Sequence, residues 1–340
     1  MKGHDLLAII IAICSINNAK ATTLQFWGDF FISDRAMNQT KANIDPNNML
    51  AEILPITRGA DYNIVNMEGV ITKNQVPWLK KEFNLHMPIG TISIMKSLGI
   101  NIASLANNHS LDFGLIGLIE TQSQLKSAGI KFGGAGFNIE EAIKPVILDT
   151  QEGRVCILML TRTLPKEFWA SKYEEGTSYI SFSRTRKLIK QFKKSYDWVF
   201  PYIHWGKEGK IEPKAYQVKL AQLMIDAGAD AVIGHHPHII QNIEVYKGKP
   251  IFYSIGNFIF NTKPPSTPEG MGVKIRIRRN EPLQATIFGL DVDNWKTEFK
   301  LKILPFSEYE RLVKDRAKSL LQYCQKASLS KLKVLQCNFK

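Results

Sequence analysis

Residues 231–238 read AVIGHHPH, a short apolar and β-branched run that leads directly into three histidines. The apolar run predicts a buried strand, and side chains that follow a parallel strand lie at the sheet edge where α/β proteins place their binding sites. His236 and His238 are separated by one residue, so both can point to one side of an extended turn and bind one or two metal ions. Gly234 permits an unusual backbone turn before them, and His235 is expected to support the other two.

Alternating strand and helix patterns extend from this stretch over most of the chain. Strand patterns cover residues 23–27, 62–66, 101–105, 155–160, 198–203 and 231–233, and helical patterns cover residues 91–98, 111–128, 183–193 and 213–227. Such alternation is typical of βαβ units and predicts an α/β fold with a largely parallel sheet.

The pattern changes after residue 239. Strand-like segments follow one another without a helix, which predicts antiparallel pairing in a second, mixed sheet. These segments are residues 239–246, 251–255, 273–278, 285–290 and 299–303, with a Pro-rich surface loop at 262–270 and a helical pattern at 307–326. We therefore predict one domain over residues 22–304 and a C-terminal helical extension over residues 305–340.

Two further polar segments follow predicted strands. One contains His204 and Glu208, and the other contains Asn108, His109 and Asp112. A histidine after a strand can be a hydrogen-bonded structural residue, and an asparagine can cap a helix. An asparagine oxygen is also a neutral hard metal ligand, and an adjacent imidazole is suited to proton transfer.

Carboxylates end the first two predicted strands. Asp29 ends the first strand, and Glu68 follows Asn66 at the end of the next. A Gly-Asp pair alone also describes many ordinary turns. Beside three histidine segments at the same sheet edge, two carboxylates are what a pair of divalent cations needs.

The first 21 residues have the pattern of a secretory signal peptide. An apolar run at 6–16 follows Lys2 and His4, and the segment ends in Ala19-Lys20-Ala21. An uncleaved membrane anchor is the alternative, but a bilayer core needs about 20 apolar residues. We expect cleavage near Ala21 and a secreted or periplasmic product.

The cysteines suit such a compartment. Of four cysteines, Cys14 lies in the signal segment and Cys156 lies inside an apolar run, where a buried free thiol is expected. Cys324 and Cys337 can form a disulfide in an oxidising compartment.

The formal net charge of +13, about +12 without the signal segment, attracts polyanions. The basic residues are mostly scattered and no nucleic-acid motif accompanies them, so nucleic acid is disfavoured as a partner. An acidic cell-surface polymer suits an exported protein, and an ordinary solvated basic surface is the alternative.

The motifs together resemble the capsule-synthesis CapA family, whose members are associated with poly-γ-glutamate capsules. In chain order they are Gly28-Asp29, Asn66-Met67-Glu68-Gly69, Leu105–His109, His204-Trp205-Gly206, Gly234–His238 and Tyr253–Phe258, within a match from about residue 23 to residue 260. The family is similar to the calcineurin-like metallophosphoesterases. The resemblance implies a sandwich of two mixed β-sheets flanked by helices, with a metal-binding cleft at the strand ends.

The resemblance also implies roles for individual residues. The implied metal ligands are Asp29, Glu68, Asn108, His204, His236 and His238, with His109 as the acid or charge-stabilising group and Asn66, Asp112, Glu208 and His235 in support. The expected cofactor is one or two divalent ions, such as Mn, Fe or Zn. Two departures bear on the metal: Phe31 stands where the wider superfamily usually has a histidine, and Glu68 stands where it usually has an aspartate.

Two functions follow as expectations. The first is an exported metallohydrolase that cleaves a phosphoester or a γ-glutamyl amide in an anionic substrate. The second is a non-catalytic accessory protein that binds an acidic polymer within a capsule-synthesis membrane complex.

Overall fold

Two mixed β-sheets share one core in the computed structural model, which describes residues 21–43, 51–260, 269–293, 301–329 and 332–339. The strands are β1 (Thr22–Phe31), β2 (Tyr62–Met67), β3 (Val70–Ile71), β4 (His86–Met87), β5 (Ile102–Ser104), β6 (Lys131–Gly133), β7 (Ala135–Gly136), β8 (Val146–Thr150), β9 (Gly153–Thr161), β10 (Gly176–Thr177), β11 (Trp198–His204), β12 (Val232–His235), β13 (Ile243–Tyr246), β14 (Lys249–Phe252), β15 (Asn257–Phe260), β16 (Glu269–Ile277), β17 (Leu283–Asp291), β18 (Lys302–Ile303), β19 (Cys324–Leu329) and β20 (Leu332–Phe339). The helices are α1 (Asp34–Asn43), α2 (Leu54–Arg58), α3 (Thr91–Ser97), α4 (Gly114–Ser127), α5 (Ile139–Ala142), α6 (Phe182–Lys193), α7 (Ala215–Asp226), α8 (Phe306–Arg316) and α9 (Lys318–Leu321).

The larger sheet has the order β19-β20-β17-β16-β1-β2-β5-β6, with β15 also paired to β1 and β18 to β17. The smaller sheet has the order β13-β14-β12-β11-β9-β8. Within each sheet, the strands that carry the candidate site are parallel: β1, β2 and β5 in one and β9, β11 and β12 in the other. Parallel strands bring their carboxyl ends to one edge, which is where the site lies.

Aromatic residues join the inner faces of the two sheets. The ring of Phe26 lies 6.1 Å from that of Phe200 and 5.7 Å from that of Tyr202, so β1 packs across β11. The outer face of the smaller sheet is covered by apolar side chains of α6 and α7, such as Ile189 and Leu220. The prediction of two mixed sheets flanked by helices is confirmed.

The late strands pair antiparallel as predicted, β13 with β14 and β16 with β17, but they are divided between the two sheets. They do not form a sheet of their own, because β13 and β14 complete the smaller sheet while β16 and β17 join the larger one. The crossing occurs after β14, where β15 pairs parallel with β1.

The prediction of a helical C-terminal extension is wrong beyond residue 321. Helix α8 ends at Arg316 and α9 at Leu321, and β19 and β20 then form a hairpin whose second strand pairs with β17. Cys324 and Cys337 are directly opposite each other in this hairpin and form a disulfide. Cys156 is a buried free thiol, as predicted.

Two predictions fall outside the described residues. The signal segment lies there except for its last residue, and so does most of the Pro-rich loop at 262–270. Among the described residues, no helix is long and apolar enough to cross a membrane.

Candidate metal centre

The carboxyl ends of the parallel strands bring the predicted residues together. In the larger sheet Asp29 is paired with Asn66 of the neighbouring strand, and in the smaller sheet His204 is paired with His235. All four side chains are fully buried.

Two overlapping sets of ligand atoms share the carboxylate of Glu68. One set contains Asp29 and His238: the Nδ1 atom of His238 lies 3.3 Å from Asp29 Oδ2, and its Nε2 atom lies 3.7 Å from Glu68 Oε1. The other set contains His204 and His236, with His204 Nε2 at 3.6 Å from Glu68 Oε1. The Glu68 carboxylate would therefore be available to a metal ion held by either set.

Asn108 lies at the open side of the second set. Its Oδ1 atom is 2.6 Å from His204 Nε2, so its amide oxygen faces the same space as the imidazole nitrogen. Glu208 is exposed and groups with His236 and His238, at the rim rather than in the centre.

The backbone of the histidine segment is shaped for this arrangement. His236 and His238 have φ angles of 101° and 57°, which are rare for residues with a side chain and are tolerated where the surroundings impose them. Gly234 admits close approach by a neighbouring strand, because a Cβ atom there would lie 2.1 Å from the carbonyl oxygen of Tyr253. The main-chain N–H of His236 donates to Asp29 Oδ2 at 3.1 Å, which ties the two sheets together at the site.

Asn66 and His235 both contact the carboxylate of Asp29. The Asn66 amide donates to Asp29 Oδ1 at 2.8 Å, and its own oxygen accepts from Asn107 at 3.0 Å. His235 Nδ1 lies 3.3 Å from Asp29 Oδ1. These contacts fix the orientation of Asp29.

The pKa values of Glu68, His238 and Asp29 are shifted by burial and by their mutual contacts. Burial and the charge of Asp29 raise the pKa of Glu68 well above its usual range. Burial lowers the pKa of His238, but Glu68 and Asp29 outweigh it and raise that pKa to about 10. Burial raises the pKa of Asp29, but hydrogen bonds from His235 and His238 outweigh it and hold the pKa well below its ordinary value.

The donor set fits divalent cations. Burial followed by the charge of His238 lowers the pKa of His236 to about 3, so its imidazole is neutral and free to act as a ligand. Among the described residues, Glu68 Oε1 and His236 Nδ1 are buried and have no hydrogen-bond partner. Such atoms are costly to bury unless something binds them. Imidazole, carboxylate and amide oxygen groups are all metal ligands in proteins.

His109 is held by Asp112 and by a residue that the sequence did not indicate, Lys81. His109 Nδ1 lies 2.6 Å from Asp112 Oδ2, and Lys81 Nζ donates to Asp112 Oδ1 at 2.5 Å and to the carbonyl oxygen of Asn108 at 2.6 Å. His109 Nε2 faces Glu68 Oε1 at 3.9 Å. Burial lowers the pKa of His109, and Asp112 opposes that shift.

Phe260 lies against the imidazole of His238, and Phe31 packs against Phe260. The ring of Phe31 lies 5.5 Å from that of Phe260, which lies 4.5 Å from the imidazole of His238. Asn257 fixes the same imidazole from the side, with its Oδ1 atom at 2.8 Å from His238 Nδ1. Phe31 therefore belongs to the core and not to the ligand sets.

The fold and the site define an α/β protein of two mixed sheets with a candidate metal centre at the strand ends. Comparison with known sequences then gives the family. The family model described as bacterial capsule synthesis protein PGA_cap matches residues 23–262, so the chain belongs to that family.

Similar proteins carry names that agree with this assignment. The PGA biosynthesis protein CapA of Bacillus subtilis (strain 168) is 29% identical over 269 residues, covering 78% of this chain and 70% of the relative. The capsule biosynthesis protein CapA of Bacillus anthracis is 30% identical over 278 residues, covering 79% and 67%. A probable polyglutamine synthesis accessory protein of Mycobacterium tuberculosis (strain ATCC 25618 / H37Rv) is 29% identical over 210 residues, covering 58% and 55%.

Two solved structures align with the chain at low similarity. A phosphatase of Mycoplasma pneumoniae aligns with a TM-score of 0.45 and 14% identity over 84% of this chain and 93% of its own. The NAD nucleotidase of Haemophilus influenzae aligns with a TM-score of 0.47 and 12% identity over 89% and 56%. The family assignment rests on the sequence match alone.

Proposed function

We propose that the protein is an exported metal-dependent hydrolase, of the phosphoesterase type, that acts on an anionic substrate in capsule or poly-γ-glutamate polymer synthesis, release or processing. The observation that carries the proposal is the pair of buried ligand sets that share Glu68, whose Oε1 atom has no hydrogen-bond partner among the described residues. A buried polar atom of this kind is costly unless something binds it.

The metal ligands and His109 would have different roles in the reaction. Divalent cations would be held by Asp29, Glu68, Asn108, His204, His236 and His238, and they supply Lewis acidity and favour the ionised form of water at neutral pH. Asp112 fixes His109 so that its Nε2 atom faces the ligand sets. From there, a protonated His109 donates a proton to the leaving group.

The second candidate function is a non-catalytic accessory protein that binds the polymer. It is favoured by the place of Phe31 in the apolar core, which removes one usual ligand position. The name of the Mycobacterium tuberculosis relative also describes an accessory protein.

Metal content together with turnover decides between the two functions. Purified protein is assayed for bound metals and for hydrolysis of bis(p-nitrophenyl) phosphate and of poly-γ-glutamate. We expect turnover that is lost with chelator, and a folded variant with both His236→Ala and His238→Ala that loses most of its metal. His86→Ala is the matched control, since His86 is bonded to Asp34 and Thr72 and lies outside both ligand sets.

Two results would contradict the proposal. If the double variant binds metal like the parent, the histidine segment is structural. Tight binding of poly-γ-glutamate without turnover of either substrate selects the accessory function.

Export is tested on the product recovered from cells. We propose that the mature protein begins near Thr22 and is found in the periplasm or medium. An intact Met1 in a membrane fraction, or a lipid on Cys14, detected by mass spectrometry, would contradict cleavage near Ala21.

A further inference from the structure

A cleft of about 630 Å³ opens directly beside the candidate metal centre. Asn108 and His236 line it on the side of the ligand sets. Its remaining walls include three basic and three aromatic side chains, namely Arg162, Lys207, Lys214, Trp169, Tyr179 and Tyr216. The cleft therefore continues the metal centre into a basic, aromatic-lined space.

Arg162 is placed at the same sheet edge as the metal ligands. It follows β9, and its main-chain N–H donates to the carbonyl oxygen of His204 at 2.8 Å. The position of its side chain is thus tied to a strand end that also carries a candidate ligand.

The guanidinium of Arg162 is held by rings and by one carbonyl group. It lies 5.6 Å from the ring centroid of Tyr179 and 5.3 Å from those of Phe182 and Tyr216, and its Nη1 atom donates to the carbonyl oxygen of Ile180 at 2.7 Å. Among the described residues, no carboxylate forms an ion pair with it. A guanidinium has five N–H donors, so most of them remain available.

The aromatic surroundings are themselves fixed. Trp169 stacks on Tyr179 with ring centroids 3.5 Å apart, and its indole N–H donates to the carbonyl oxygen of Thr163 at 2.7 Å. The hydroxyl of Tyr216 accepts from the main-chain N–H of Gly206 at 2.8 Å. A half-buried arginine in a rigid cage loses little freedom when it binds a planar anion.

We infer that Arg162 anchors a second anion site, which binds a carboxylate or phosphate group of the substrate other than the group placed at the metal centre. Lys207 and Lys214 are exposed and extend the positive charge along the rim. Glu208 also lines the cleft, but it groups with His236 and His238 rather than with the arginine. The inference rests on the proposed function, because it places part of the hydrolase's substrate at Arg162. The substrate is then an oligomer that carries anionic groups at intervals.

The test measures binding separately from turnover. Isothermal titration of the mature protein as purified uses two probes, a γ-linked penta-glutamate and sodium tripolyphosphate. Arg162→Gln should weaken binding of at least one probe by on the order of 10- to 100-fold, the size expected for losing hydrogen bonds to a charged group. Arg162→Lys keeps the charge and loses the planar fork, so its affinity should lie between those of Arg162→Gln and the parent.

Arg154→Gln is the matched control. Arg154 lies in β9 at the end opposite to Arg162. It also lies over a ring, that of Tyr196 at 4.7 Å, and it pairs with Asp149. It should bind both probes like the parent.

The outcomes distinguish the Arg162 anion site from the proposed hydrolase activity. Weaker binding of the penta-glutamate alone identifies a carboxylate site, and weaker binding of tripolyphosphate alone identifies a phosphate site. The inference is overturned if folded Arg162→Gln binds both probes like the parent, or if the parent binds neither. Arg162-dependent binding by a parent that hydrolyses nothing supports the anion site and defeats the proposed hydrolase.

Discussion

At the residue scale, His109 and its neighbour Asn108 have separable tasks. Asn108 offers only a neutral oxygen, which can hold a cation but cannot supply a proton at neutral pH. His109 is oriented by Asp112 with Nε2 towards the ligand sets. We therefore expect His109→Gln to lower kcat by about 10²–10⁴-fold with metal content near normal, and Asn108→Ala to lower metal content. The measurements are steady-state kinetics and metal analysis on the same preparations.

The leaving group provides the control for this assignment. Substrates with an acidic leaving group need no proton, so the loss caused by His109→Gln should shrink with them. If His109→Gln strips the metal instead, and its residual activity ignores the leaving group, then His109 is a ligand.

Lys81 should stabilise the folded protein as well as orient His109 through Asp112. Its side chain is 15% exposed and its partner Asp112 is fully buried. Lys81→Met leaves that carboxylate without its cation, and breaking a buried pair typically costs about 3–5 kcal/mol. Urea unfolding should show this loss, whereas Lys247→Met, which breaks the exposed pair with Asp226, should be nearly neutral. Equal unfolding midpoints for the two variants would contradict a role for Lys81.

Metal binding should release a proton from His238. Its pKa is about 10, so the imidazole carries a proton at neutral pH in the metal-free protein, and a metal requires the neutral form. Apparent metal affinity should therefore rise with pH, by about tenfold per pH unit for each proton displaced, up to that pKa. Titration calorimetry in buffers of different ionisation enthalpy measures the proton directly. Affinity that does not change between about pH 7 and pH 9 would show that no proton is displaced.

The ligand sets could be predicted from sequence because strand ends converge, which places Asp29, Glu68 and the histidine segments at one edge. Lys81 could not, because it lies in a segment without regular structure and a single lysine has no distinguishing pattern. Arg162 was missed for a related reason: its significance lies in rings that come from distant parts of the chain.

At the element scale, Gly234 sets how closely β12 can approach its surroundings. A Cβ atom there would lie 2.1 Å from the carbonyl oxygen of Tyr253 and 2.5 Å from the indole nitrogen of Trp205. Gly234→Ala should lower the free energy of unfolding by at least the roughly 1–3 kcal/mol typical of overpacking, and should also reduce metal content by displacing the histidine segment. Thermal unfolding and metal analysis measure both effects.

Gly90→Ala is the control for that variant. A Cβ atom at Gly90 would meet nothing closer than 3.5 Å, and its φ angle of −60° suits any residue. Parent-like stability of Gly234→Ala would mean that β12 shifts freely.

Buried strands were the predictable elements. β9 and β11 are continuous apolar runs, and such runs identify strands covered on both faces. β19 reads CQKASL with half of its residues exposed, so its sequence lacks the apolar alternation that indicates a strand. It becomes a strand because β20 pairs with β17 and offers it an edge.

At the scale of the whole molecule, the charge governs long-range attraction. The formal net charge of about +12 on residues 22–340 should attract acidic polymers, and exposed charges are screened within about 8 Å at physiological ionic strength. Binding of poly-γ-glutamate should therefore weaken steeply with added salt, measured by co-sedimentation with dextran as the uncharged control. Binding that ignores salt would assign the affinity to a specific pocket rather than to the overall charge.

The sheet partition is the part of the fold that sequence patterns did not determine. Two mixed sheets were predicted, but the assignment of β16 and β17 to the larger sheet depends on pairing with β1. Strand patterns describe burial along one segment and contain no information about distant partners.

The central place of β1 has a consequence for biosynthesis. Thr22 pairs with Ile277, so one edge of this apolar strand stays open until nearly the whole chain has been made. Contacts between such distant segments form slowly, and an open strand edge invites pairing with other chains. A nascent or translocating polypeptide of this sequence must therefore be kept from its neighbours until β16 emerges, and truncation before residue 269 leaves that edge open permanently.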